Sequence, residues 1–138
     1  MRAANSLCET VEVHQASDIV LARSRARAMA ERLGFGRADQ TRLATAVSEL
    51  TRNVIMYAGR GVCRICDTSD PESHRIEITV EDHGPGIADI DLALQDGFST
   101  GHSMGAGLPG TRRLVEGFAL QSVPGLTQVT VSLSLRRT

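Results

Sequence analysis

The chain contains no lysine, and all 15 of its basic residues are arginines. That absence excludes the P-loop, whose lysine reaches the β- and γ-phosphates, and the protein-kinase fold with its strand lysine. Schiff-base catalysis goes with them. Any nucleotide here must be held by arginine, backbone amides, glycine loops and a metal ion. A charge excess is missing too: 15 basic against 16 acidic residues leave a formal net charge of -1. Such a balance provides no broad field for nucleic acid or anionic lipid. Long apolar runs are equally absent. Residues Met1 to Ser6 have no apolar signal region, and the longest uncharged stretch, Gly117 to Leu135, is broken by Gln121, Pro124, Gly125, Gln128 and several hydroxyl residues. A cytoplasmic protein without export signal or membrane span is expected.

Cysteine is scarce and odd in number, at three. In an unexported chain this predicts reduced thiols. Cys63 and Cys66 have C-x-x-C spacing, but their segment reads as a strand, where positions three apart point to opposite faces, and no second close pair completes a zinc site. Cys8 is distant from both.

What is present is ordinary for a globular domain: 138 residues, 41% hydrophobic and 22% charged, which fits one domain spanning 1–138. Leu7 to Val13 reads as a strand. A helix from Ser17 as N-cap to Leu33, closed by Gly34, carries an apolar stripe of Ile19, Val20, Ala26, Met29, Ala30 and Leu33 and a solvated face with Arg23, Arg25 and Arg27. A second helix, about Asp39 to Ala58, repeats Leu43, Ala46, Val47, Leu50 and Val54 at helical spacing before Gly59. Val62 to Cys66 and Ile76 to Val80 form a hairpin about Asp70-Pro71-Glu72. A short helix over 110–116 and a last hairpin turning at Pro124-Gly125 complete the chain. The order implies an α+β two-layer sandwich: a mixed, largely antiparallel sheet with helices on one face.

Three segments carry chemistry. Glu49 and Asn53, four apart on the second helix, project to one side, and Tyr57 continues the line. The amide oxygen suits Mg²⁺, and the carboxylate beside it can take a proton. Asp82-His83-Gly84-Pro85-Gly86 follows a strand, placing a carboxylate where it can accept from an exocyclic amine such as that of adenine, beside glycines that allow a flat ligand close to the backbone. Between Gly84 and Gly110 lie seven of the chain's 13 glycines. This segment ends in Gly105-Ala106-Gly107-Leu108-Pro109-Gly110, whose free N–H groups before a helix suit phosphate.

Together, the order E-x-x-x-N, D-x-G-x-G, G-x-G-L resembles the ATP-binding fold shared by DNA gyrase, heat-shock chaperone ATPases, histidine kinases and MutL, the GHKL superfamily. Ala46 to Val54, Tyr57-Ala58-Gly59, Gln95 to Thr100 and Gly105 to Leu114 bring it close to the RsbT-like switch serine/threonine kinases, relatives of the anti-sigma factors SpoIIAB and RsbW. The resemblance implies ATP and Mg²⁺ as cofactors. It implies Glu49 as general base, Asn53 as Mg²⁺ ligand, Asp82 as adenine reader, Gly84 and Gly86 as shapers of the base pocket, and Gly105 and Gly107 in a lid over the phosphates. Partners would be STAS-domain substrates, with a sigma factor or a phosphatase as the alternative for a nucleotide-gated binder with little catalysis. His83 departs from the glutamine or asparagine usual in the adenine motif. Arg112 and Arg113 stand near the lid's exit helix, either at phosphate or at the surface.

Overall fold

The computed structural model describes residues 7–84 and 107–137. Strand β1 (Leu7–Val13) is followed by α1 (Ala16–Arg32), α2 (Arg37–Tyr57), β2 (Gly61–Asp67), β3 (Ser73–Asp82), α3 (Gly107–Leu114), β4 (Gly117–Val123) and β5 (Leu126–Arg136). The five strands form one sheet in the order β1-β2-β3-β5-β4. All four pairings are antiparallel, so the parallel component of the expected mixed sheet is not found among the described residues.

Strand alternation divides the sheet into two faces. Val11, Val13, Cys63, Ile65, Ile76, Ile78, Val80, Val129, Val131 and Leu133 are buried on the helix side, against Ala22, Ala26, Met29, Ala30, Leu43, Val47, Leu50 and Val54. The opposite face carries polar pairs. Arg64 and Gln128 both donate to Glu81 Oε1, at 3.0 and 3.1 Å, and the Thr79 and Thr130 hydroxyls meet at 3.2 Å.

The apolar period of α2 is buried in full: Leu43, Ala46, Val47, Leu50 and Val54 all lie in the core. Ser48 and Thr51, also buried, satisfy their hydroxyls by donating to the carbonyls of Ala44 and Val47 at 2.8 and 2.7 Å. Helix α1 departs from its expected stripe. Val20 is 50% exposed and Ala22 takes the core position instead. Its N-cap is Gln15 rather than Ser17, because the Asp18 carboxylate accepts from the backbone N–H groups of His14 and Gln15 at 3.0 and 3.1 Å. Those bonds, that from His14 foremost, hold the Asp18 carboxyl below its usual range. Farther on, Arg25 and Arg32 both reach the Glu9 carboxylate, at 3.4 and 3.2 Å, tying α1 to β1.

The expectation of reduced thiols holds for Cys63 alone. Cys8 and Cys66 are directly opposite in the β1–β2 register and form a disulfide on the polar face. Cys63 faces the core as a free thiol, and burial pushes it up to about 12. Opposite faces for Cys63 and Cys66 follow from strand parity, whereas the Cys8 partnership depends on register, which spacing does not encode. The bridge spans a sequence separation of 58. Reducing it is expected to lower unfolding stability by roughly 2–4 kcal/mol. Urea titrations of the wild type with and without a dithiol reductant, beside Cys8→Ser as control, check this. A midpoint indifferent to reductant contradicts it.

Candidate functional site

Strand parity decides where Asp82 points. It shares the helix-side face with Ile76, Ile78 and Val80 and pairs with Gly61 at the start of β2. Gly61 is glycine for a steric reason. A Cβ there would lie 2.4 Å from the Glu81 carbonyl oxygen, 2.8 Å from Val54 Cγ1 and 3.2 Å from Asp82 Cβ. The end of β3 therefore sits directly beneath the last turns of α2. Gly84 closes the same corner, since a Cβ on it would come within 2.7 Å of Ala58 Cβ, next to the α2 terminus. Its N–H donates to Asp82 Oδ1 at 2.9 Å, a side-chain turn that orients the carboxylate. Oδ2 accepts no hydrogen bond among the described residues.

Replacing Gly84 with alanine forces two packed backbones apart. A loss of about 1–3 kcal/mol in stability is expected, of the size found for overpacked sites, together with weaker ATP binding. Thermal unfolding and ATP titration of Gly84→Ala measure both; a variant as stable as the wild type would mean that the corner yields freely.

His83 turns outward. Its Nδ1 is 3.2 Å from the Gly125 carbonyl oxygen, while the Gly125 N–H donates to the Gly84 carbonyl at 3.1 Å. The β4–β5 turn thus buttresses the Asp82 turn. Gly125 adopts φ +90° there, a left-handed conformation that glycine accepts without strain. Neither contact was readable from the D-x-G-x-G spacing, because both cross between distant parts of the chain.

Glu49 and Asn53 lie on α2 as the i, i+4 spacing predicts, both half-buried. Between Glu49 and Ala58 the helix advances ~14 Å at 1.5 Å per residue. Asp82 lies at the Ala58 end, with Asn53 between. Asp82, Asn53 and Glu49 thus follow one another along the length of α2. Among the described residues no three His, Cys, Asp or Glu side chains converge as a metal cage. Asn53 offers one amide oxygen, a donor type that fits Mg²⁺, an ion that keeps waters and phosphate oxygens in most of its positions.

Helix α3 begins at Gly107, three residues earlier than the sequence reading, and packs against α2. Pro109 falls in its first turn, where its missing N–H costs nothing. Arg112 and Arg113 are exposed in its last turn, a position that suits cations facing the helix dipole. Gly86 and Gly105 lie outside the described residues, as does the stretch 85–106 that contains most of the glycine-rich segment. One neighbour of Glu49 escapes the sequence reading. Arg52, three residues after Glu49, donates Nη1 to Glu49 Oε2 at 2.7 Å; the i, i+3 spacing of opposite charges was the available signal.

Residues 38–137 match the family of histidine kinase-, DNA gyrase B-, and HSP90-like ATPases. The chain is 50% identical to a Bacillus subtilis serine/threonine-protein kinase, RsbT, over 108 residues, which are 78% of this chain and 81% of that protein. A crystal structure of the RsbU and RsbW domains of a Mycobacterium tuberculosis protein superposes with a TM-score of 0.67 at 17% identity, covering 96% of this chain and 33% of that one. A mycobacterial sensor histidine kinase, MprB, superposes with a TM-score of 0.56 at 20% identity, covering 95% of this chain and 99% of that one. These two likenesses concern the fold alone.

Proposed function

Because the chain belongs to the family of histidine kinase-, DNA gyrase B- and HSP90-like ATPases, we propose that it is an ATP-dependent serine/threonine protein kinase. Its substrates in this reading are STAS-domain proteins of a bacterial partner-switching pathway that controls stress or sigma-factor responses. The observation that carries the proposal is the half-buried Glu49 carboxylate, one helical turn before Asn53 on the helix that covers Asp82. Half-identity to a protein named as a serine/threonine kinase supports it. The reaction belongs in the cytoplasm, where ATP is supplied. No helix among the described residues is long and apolar enough to cross a membrane, and the balanced charge gives nucleic acid no part in the reading.

Asp82 Oδ2 accepts from the adenine amine, while Oδ1 stays engaged by the Gly84 N–H. Gly84 keeps the turn close to α2, and the family resemblance assigns Gly86 to the base pocket and Gly105 and Gly107 to a lid over the phosphates. Asn53 would supply the protein's oxygen to Mg²⁺, which when bound neutralises phosphate charge. The hydroxyl oxygen of the partner's serine or threonine bonds to the γ-phosphorus as the bond from that phosphorus to the bridging oxygen breaks, its electron pair leaving with ADP. Glu49 takes the hydroxyl proton and returns it to solvent. Positioning and charge neutralisation provide most of the acceleration.

The second reading, a nucleotide-gated binder of a sigma factor or a phosphatase, draws on the resemblance of the sequence motifs to the anti-sigma-factor relatives and keeps Asp82 and Asn53 as nucleotide-binding groups. A pure binder has no need of a carboxylate beside the phosphates. To separate the two, the protein is mixed with ATP, Mg²⁺ and a STAS-domain protein. A kinase forms ADP in step with phosphoserine or phosphothreonine on the partner; retention of a bound partner with neither product would overturn the kinase reading.

A further inference from the structure

Glu49 is not a lone carboxylate. Its side chain is 14% exposed, and the 45%-exposed Arg52 closes over its outer edge with the 2.7 Å bond from Nη1 to Oε2. Among the described residues Glu49 Oε2 is engaged by Arg52 alone and Oε1 accepts no hydrogen bond, so Oε1 is the oxygen turned to a substrate proton in this reading. We propose that Arg52 is a positioning residue for phosphoryl transfer: by engaging Oε2 it fixes the Glu49 rotamer and presents Oε1 to the attacking hydroxyl. This inference rests on the assignment of Glu49 as base.

Two physical facts make the pair more than surface charge. Glu49 has three side-chain torsions and projects from the helix face next to Asn53, so without a partner its carboxylate samples several staggered positions. A charge-assisted bond of this length selects one of them. Rates respond steeply to such selection, because a misplacement of about 1 Å costs on the order of 10²-fold. Folding responds little, since the bond lies at the surface end of the pair and α2 is held by its buried apolar stripe. A positioning role and a structural role are therefore separable by experiment.

Arg52→Ala is expected to lower kcat by ~10- to 100-fold with KM for ATP and melting temperature unchanged. Arg52→Lys, which can still donate one bond to Oε2, should recover most of the rate. The deciding comparison is a double-mutant cycle: in a Glu49→Gln background, Arg52→Ala should bring no further loss, since its effect passes through the carboxylate already removed. Full kcat in Arg52→Ala overturns the proposal. So does a raised KM for ATP at unchanged kcat, or an equal loss in the Glu49→Gln background, either of which would place Arg52 on the nucleotide instead. Failure of the underlying reading is visible separately, as wild-type transfer by Glu49→Gln alone.

Discussion

Glu49→Gln is expected to bind ATP with wild-type affinity and to transfer its γ-phosphoryl group ~10²–10⁴ times more slowly, the usual contribution of a general base. Glutamine preserves the length and the acceptor oxygen of the side chain but cannot take a proton. Glu49 lies a full turn from Asn53 and farther still from Asp82, so neither base recognition nor the amide ligand is disturbed. The helix itself should be unaffected, for its stability comes from Leu43, Ala46, Val47, Leu50 and Val54 on the other side. Calorimetric titration with ATP and single-turnover transfer to a STAS-domain partner measure the two halves. Wild-type transfer would remove Glu49 from the chemistry, whereas a parallel loss of ATP affinity would make it a binding group.

The second large effect is expected at Asp82. In Asp82→Asn, the side-chain oxygen can still accept from the Gly84 N–H, so the turn retains its 2.9 Å bond. The other position becomes an NH₂ donor facing the adenine amine, also a donor. Loss of a hydrogen bond to a charged group costs roughly 1.5–3 kcal/mol, so the ATP dissociation constant should rise by about 10- to 150-fold. Melting temperature without nucleotide should hold steady, because the substitution is isosteric and the corner stays packed on Gly61 and Ala58. Unchanged affinity would mean that the base binds elsewhere.

Helix α2 was legible because its buried residues repeat at helical spacing and its polar pair, Glu49 and Asn53, follows the same period. The strands were legible by alternation, and with them the side of the sheet on which Asp82 falls. Other features depend on where separate segments meet. Val20 belongs to a plausible apolar stripe, yet it is exposed while Ala22 packs inward, since the rotation of α1 is set by its contact with α2 and the sheet. Ser17 is a better capping residue than Gln15 by type, but the Asp18 carboxylate serves the N–H groups of His14 and Gln15 and moves the helix start. The Cys8–Cys66 bridge required the β1–β2 register. The need for glycine at 61 arises from Val54 and the Glu81 carbonyl, seven and 20 positions away in the chain. Local pattern placed the chemistry on its elements; tertiary packing brought the corner of the site together.

Asp82, Asn53 and Glu49 are expected to serve one nucleotide along the length of α2. A crystal structure with Mg²⁺ and a non-hydrolysable ATP analogue tests it most directly. The adenine amine is expected at Asp82 Oδ2, the metal at the Asn53 side-chain oxygen, and the terminal phosphate at the Glu49 end of the helix. A nucleotide bound away from the Gly61–Gly84 corner, or seated there with its phosphates running away from Asn53, would contradict this arrangement.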